Sequence, residues 1–407
     1  MWQKLLMTGL MIFASGSVFA QTHQHGAMPT GSDSDGQYNP FIVADQRGGF
    51  YLAYIQRTGK ICNVMLRHSA DGTNFSEPVR VNDIGGDATV RNENPPKVSV
   101  GAQGEVYVAW ANERGKWKGN VRFTRSTDGG KTFSPALTIN SDGVSEPAGH
   151  AFQSIAVDKQ GRVYLAWIDE RHKHKEDRGG EIWLAVSSDH GQTFTRDRRI
   201  LTNVCECCRT NLQFDATGNL YLTYRTVPST GPMYRDIIVA RSTDGGKTFA
   251  PTIVSDDKWE VNGCPVSGPG FSLDHSGRLT TVWFMGGGQR PGLYFATSND
   301  KGRSFAPRQL LDPNQKIGKH TATSTIADGK VFVAWDDASE QTFSVWGILD
   351  PHKGLLHKST EHAGIAYPVV AANGQIAVIA AMKLAKHEIV TFTENLKPST
   401  EIHSAGR

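Results

Sequence analysis

One short motif recurs five times along the chain: SADGTNF (Ser69–Phe75), STDGGKTF (Ser126–Phe133), SSDHGQTF (Ser187–Phe194), STDGGKTF (Ser242–Phe249) and SNDKGRSF (Ser298–Phe305). Its aspartates, Asp71, Asp128, Asp189, Asp244 and Asp300, lie 57, 61, 55 and 56 residues apart. A period of that size marks a repeat architecture. The residue types are those of a hairpin turn: Ser and Asp side chains bond turn amides, Gly permits positive φ, and the closing aromatic packs beneath. The first copy is one residue short, which predicts an altered turn.

A second element precedes each turn. GGFYLAYIQ, GEVYVAWAN, GRVYLAWID, GNLYLTYRT, GRLTTVWFM, GKVFVAWDD and the weaker GQIAVIAAM alternate apolar residues with period 2 after a Gly-bearing turn. Each reads as a strand. A shorter strand lies ahead of it, as in FQSIAVD, and another follows the turn, as in PALTIN. Four strands per repeat make a propeller blade. The expected fold is therefore an all-β propeller of four-stranded blades. Seven copies of the strand motif favour seven blades over six, in a ring from about Gln37 to His403.

The segment MWQKLLMTGLMIFASGSVFA has Lys4, an apolar run from Leu5 to Phe13, and Val18 and Ala20 before a small-residue cut. That is a secretory signal peptide, residues 1–20, cleaved after Ala20. Residues 21–36 are polar and expected to be flexible, and 37–407 form the propeller. The expected location is the periplasm or the exterior, as a monomer. No stretch approaches the roughly 20 apolar residues of a membrane helix. A net charge of +3 without a basic run argues against a nucleic-acid partner.

The five turns are Asp-box (BNR) repeats, and over the mature chain the sequence resembles the sialidase superfamily. The resemblance implies a propeller fold, with the boxes at the outer blade edges. It also implies an arginine triad for a substrate carboxylate, a Tyr–Glu nucleophile pair and an aspartate acid/base. The Arg-Ile-Pro motif of the first blade is missing. QYNPFIVAD stands in its place, and no arginine occurs from Gln21 to Gln46. Tyr367 is a nucleophile candidate, Glu93 an acid/base candidate, and Arg209 a holder of an anionic sugar. Other arginines, Arg91, Arg171, Arg225 and Arg290, read as surface residues or loop braces.

Aligned on their last residues, the innermost strands put Gln37, Glu93, His150, Cys207, Val266, His320 and Ile365 in one column. In a propeller one column becomes one ring at a channel mouth, which predicts that Glu93, His150, Cys207 and His320 converge. VCECCRT packs Cys205, Cys207 and Cys208 into four residues, and Cys264 falls near its own column position. Thiolate with imidazole suits zinc or copper, soft sulfur favouring Cu(I). His23, third after the cut, and His25 add a weaker Cu(II) possibility.

Exported cysteines also pair, so Cys205 or Cys208 with Cys264 is a sensible inter-blade bridge. Thiol redox chemistry is a further option. Cys62 reads as a buried small apolar residue. DERHKHKEDRGG, with His172 and His174, reads as a solvated loop, and WFMGGGQRPG as a flexible one; Met285 could add a thioether to a copper site. Three functions follow: a propeller binding a metal or small ligand at its channel mouth, a sialidase-like glycoside hydrolase with a rearranged site, or a partner-binding scaffold with stapled blades.

Overall fold

The computed structural model describes residues 34–396, except 92, 114–117, 144–147, 174–177, 289, 314–317, 327–328 and 338–341. The signal segment, His23, His25 and His174 lie outside the described residues. Strands run antiparallel in seven separate sheets, so the seven-blade expectation holds. The inner strands are Gly36–Ala44, Lys97–Val100, His150–Val157, Asn211–Phe214, Gly270–Leu273, Gly318–Thr325 and Ile365–Ala372. Blades 1 to 5 have four strands each. Blade 6 adds a short fifth, His362–Ala363, beside Phe343–Asp350, and blade 7 has three among the described residues.

Each second strand carries the apolar alternation and is almost wholly buried, as in Val163–Asp169 and Val331–Asp337. Both faces of a blade meet a neighbour, which is why Trp110, Trp167, Trp283 and Trp346 are among the largest fully buried side chains. The ring closes where blade 7 meets blade 1: Gln37 N donates to His387 O at 2.6 Å, and Ile389 N to Gln37 Oε1 at 2.9 Å. The first inner strand begins at Gly36, at the end of the segment expected to be flexible.

The Asp-box turns use the chemistry read from the sequence. In the second box, Asp128 Oδ1 accepts from Ser126 Oγ at 2.7 Å and from the amides of Lys131 and Thr132, both at 3.0 Å. Its Oδ2 accepts from Thr132 Oγ1 at 2.6 Å. These hydroxyl and amide donors hold the carboxyl well below the usual range. The short first copy closes differently: Asn74 Nδ2 takes the hydroxyl's place on Asp71 at 2.7 Å. Each box also leans on the preceding blade. Gly130, at φ 85°, leaves so little room that a Cβ there would lie 2.9 Å from Leu66. Tyr51 OH donates to Gly129 O at 3.2 Å.

Candidate functional site

The inner strands surround a central cavity of about 330 Å³. Blade 2 and the segment leading into it supply Glu93 and Lys97, blade 4 Arg209, Asn211 and Gln213, blade 6 His320 and Thr321, and blade 7 Tyr367. Blade 1 lines it with Asn39, Pro40 and Phe41, where the missing arginine motif would stand. Around the rim the backbone is strained. Asn39, Glu93, Phe152, Val266 and Tyr367 have φ of 52°, 60°, 55°, 47° and 54°, the first, third and fifth early within inner strands and the other two just ahead of them. Bulky residues are rarely left-handed, and such strain gathers at sites that must hold a particular shape. Register shifts accompany it between Tyr38 and Phe41 and between Ala366 and Val369.

Glu93 is buried and fully engaged. Its Oε1 accepts from Arg209 Nη1 and its Oε2 from Gly268 N, the latter at 2.7 Å. Gly268 must be glycine, because a Cβ would come within 2.4 Å of Arg209 O. Arg209 Nη2 also reaches Thr321 Oγ1 at 3.4 Å. A carboxylate with both oxygens taken is an orienting group rather than a free acid. Beside it Lys97 Nζ sits 4.4 Å over the Phe41 ring. Burial, aided by Arg209 and opposed by Glu93, brings this ammonium down to about 7.

Opposite lies an Asp–His pair. His320 Nδ1 donates to Asp336, 2.9 and 2.8 Å from its two oxygens, and the His320 amide donates to Oδ1 at 3.0 Å. The Tyr367 amide donates to Oδ2 at 2.8 Å. Burial acts to raise the Asp336 carboxyl, but the His320 ring and these hydrogen bonds outweigh it and hold it low. The His320 ring lies 4.3 Å from that of Tyr367, and burial drives the Tyr367 phenol far up. His320 Nε2 is buried and has no hydrogen-bond partner among the described residues. With Nδ1 fixed as the donor, Nε2 presents a lone pair, the arrangement of a general base or a metal ligand.

The residues of the predicted ring fall into three places. Glu93 and His320 line the cavity with Arg209 and Tyr367, two positions further along their strands. His150 instead braces blade 3. Its Nδ1 donates to Gly119 O at 2.6 Å, and its Nε2 lies 3.3 Å from Asp142 and 3.1 Å from Asp169. Burial opposes its charge, but the two carboxylates prevail and raise it to about 9. Arg171 joins this network through Asp169 and Asp197, a brace as expected.

The cysteines form the third place, at the junction of blades 3 and 4. The bridge is Cys207–Cys264, not one from Cys205 or Cys208. The segment 205–208 precedes the inner strand at Asn211, so no strand alternation sets which side chain faces the neighbouring loop. Cys205 and Cys208 remain as buried thiols. Cys205 Sγ lies 3.4 Å from Cys208 Sγ, 3.6 Å from Cys207 Sγ and 3.2 Å from Arg235 Nη1. The Cys208 contact lowers Cys205 to about 7 against its burial, aided by Arg235, while burial pushes Cys208 up. The three sulfurs lie within 4.8 Å of one another, close enough to hold a metal ion. Cys62 is buried in Ile61–Ser69, and Met285 packs in the blade 5 core.

Lys97 of the cavity and Asp336, the partner of His320, escaped sequence reading. Lys97 stands in ENPPKVSV just after Glu93, and Asp336 closes VFVAWDD; polar residues inside those two strands were the available signal.

Among the described residues no helix is long and apolar enough to cross a membrane. A search of curated proteins found no match. Among solved structures, an ulvan lyase, a polysaccharide lyase bound to a saccharide of glucuronate and sulfated rhamnose, is similar with a TM-score of 0.59. It is 12% identical, and the match covers 89% of this chain and 96% of that one. A Penicillium chrysogenum α-L-arabinanase complexed with arabinobiose gives 0.55 at 14% identity, over 80% and 97%. A Hadza microbial sialidase gives 0.50 at 14%, over 85% and 76%. At such identities the likeness is one of fold, and three differing activities share it. The model of the BNR repeat-like domain matches residues 63–378, most of the chain, and the protein belongs to that family.

Proposed function

We propose that the protein, once exported, acts on anionic saccharides in the central cavity. The observation that carries this reading is His320: its Nδ1 is committed to buried Asp336, while its Nε2 is unpaired at the cavity wall. Among the described residues Lys97 forms no ion pair and sits over the face of Phe41 near Glu93, so a bound carboxylate would favour its charged form. Proton abstraction next to a carboxylate fits this set. His320 Nε2 takes the α-proton while Lys97 and Arg209 stabilise the negative charge that develops. The C–O bond breaks as the C=C bond forms, and the Tyr367 phenol protonates the leaving oxygen. The sialidase-like alternative, hydrolysis through Tyr367 with Glu93, has less support because both Glu93 oxygens are occupied.

The test is a panel of uronate-containing polysaccharides, sialosides and arabinan. Ultraviolet absorbance of an unsaturated product from uronates alone supports elimination. Products without it mean hydrolysis, and silence across the panel leaves a binding scaffold.

A second reading is favoured by the cysteine group, which offers soft sulfur to copper(I) or zinc. Metal analysis of anaerobically purified protein, with a thiol count, checks it; a stoichiometric metal lost in Cys205→Ser supports it.

A further inference from the structure

The second reading leaves the Cys207–Cys264 bridge unexplained. Cys205, Cys207 and Cys208 are buried, whereas Cys264 is exposed on the segment leading into blade 5. A thiophilic ion takes four sulfur ligands at the corners of a tetrahedron with metal–sulfur distances of about 2.3 Å, which puts the sulfurs roughly 3.8 Å apart. The Cys205 separations of 3.4 and 3.6 Å approach that spacing. A sulfur committed to a disulfide is not a thiolate, and the thiolate is the ligand.

We propose that the Cys207–Cys264 bridge is a redox lock on a four-cysteine metal site. Closed, it withholds two of the four thiolates. Open, it gives Cys205, Cys207, Cys208 and Cys264 to one zinc or copper(I) ion. The proposal rests on the second reading above.

Arg235 fits both states. Its Nη1 lies 3.2 Å from Cys205 Sγ, and its Nη2 donates to Gly263 O at 2.8 Å. One guanidinium thus holds the loop carrying Cys264 against the sulfur group without the bridge. With the buried Arg225 nearby, it also offsets the negative charge that four thiolates bring to the metal.

Opening requires a dithiol reductant. One of its thiolates attacks the exposed Cys264 sulfur, the S–S bond breaks, and Cys207 leaves as a thiolate. The second thiol of the reductant then displaces Cys264, and the reductant departs as a disulfide. Two electrons enter the protein, and metal binding keeps the released sulfurs deprotonated.

The experiment titrates the intact mature protein with Co²⁺ under anaerobic conditions, once after dithiol reduction and once after oxidation. The reduced protein is expected to bind one equivalent, with thiolate-to-cobalt charge-transfer absorption that Zn²⁺ displaces. It should also protect Cys264 from alkylation. The oxidised protein is expected to bind at least tenfold more weakly. Cys264→Ser removes the lock, so its weaker binding should no longer depend on that bridge, and Cys205→Ser should lose the absorption; melting curves report whether each variant folds. Equal binding by the oxidised and reduced protein overturns the lock and leaves the metal reading standing. Absence of binding in both states overturns the two together.

Discussion

The outer rim and the central mouth of this propeller are built by opposite rules. At the rim, four of the five Asp-box turns repeat one hydrogen-bond pattern in exposed positions, the first closing through Asn74, and Asp128 and Asp244 are bound by the same set of neighbours. At the mouth the charged and aromatic groups differ from blade to blade, Glu93 and Lys97 from one, Arg209, His320 and Tyr367 from three others. The backbone there is left-handed at five non-glycine positions, and a buried histidine nitrogen goes unpaired. A hydrogen-bond pattern repeated from turn to turn specifies a fold. Left-handed non-glycine residues occur at the rim too, at His190 and Lys301, but at the mouth the strain lies beside a cavity and an unpaired histidine nitrogen, which a ligand would complete.

The strongest way to break this contrast is His320→Gln. If the mouth carries the chemistry, turnover of a uronate substrate should fall by about 10²–10⁴-fold. The melting temperature should move little, since an amide can still donate to Asp336. A variant that keeps full turnover would separate the cavity from the activity. Glu93→Ala comes next. Among the described residues it leaves Arg209 with Thr321 at 3.4 Å and Gly268 N without its acceptor. Removing one partner of so buried a pair should cost about 3 kcal/mol in urea unfolding. A loss near zero would mean that water replaces the carboxylate and the strained mouth holds its shape unaided.

The ring of blades was legible because its signals are local. Asp128, Ser126 and Gly130 meet within one turn, and the strand alternation shows in nine-residue windows. Half of the cavity was legible too, since Glu93, Arg209, His320 and Tyr367 lie within two residues of a common column. The rest depended on contacts that no spacing encodes. Asp336 matters because antiparallel pairing sets it across from the start of its blade's inner strand, beside His320. His150 shares the column with His320, yet Asp142 and Asp169 fold onto it from a turn and a strand end and make it a brace. The cysteine pairing was hidden for a related reason: in the irregular segment before Asn211, side-chain direction has no period to follow.

His150 sharpens the comparison from outside the cavity, as a column residue held by two carboxylates. Its folded pKa of about 9 stands above the roughly 6.5 of an unfolded histidine. Its contribution to stability is therefore complete below pH 6.5 and fades as pH rises through 9. The expected loss over that window is up to about 3 kcal/mol. Chemical denaturation across pH 6–10 should show this slope in the wild type and a flatter line in His150→Gln; parallel lines would place the slope elsewhere.

The smallest expected effect belongs to the rim. Gly130→Ala forces a Cβ to 2.9 Å from Leu66 at φ 85°. The left-handed strain and the pressure on blade 1 should together cost about 1–2 kcal/mol. Uronate turnover at a temperature where the variant is folded should stay unchanged, because the turn belongs to blade 2 and does not line the cavity, whereas His320 belongs to blade 6. A loss of turnover there would mean that blade-to-blade packing at the rim sets the geometry of the mouth, and the two regions would no longer count as independent.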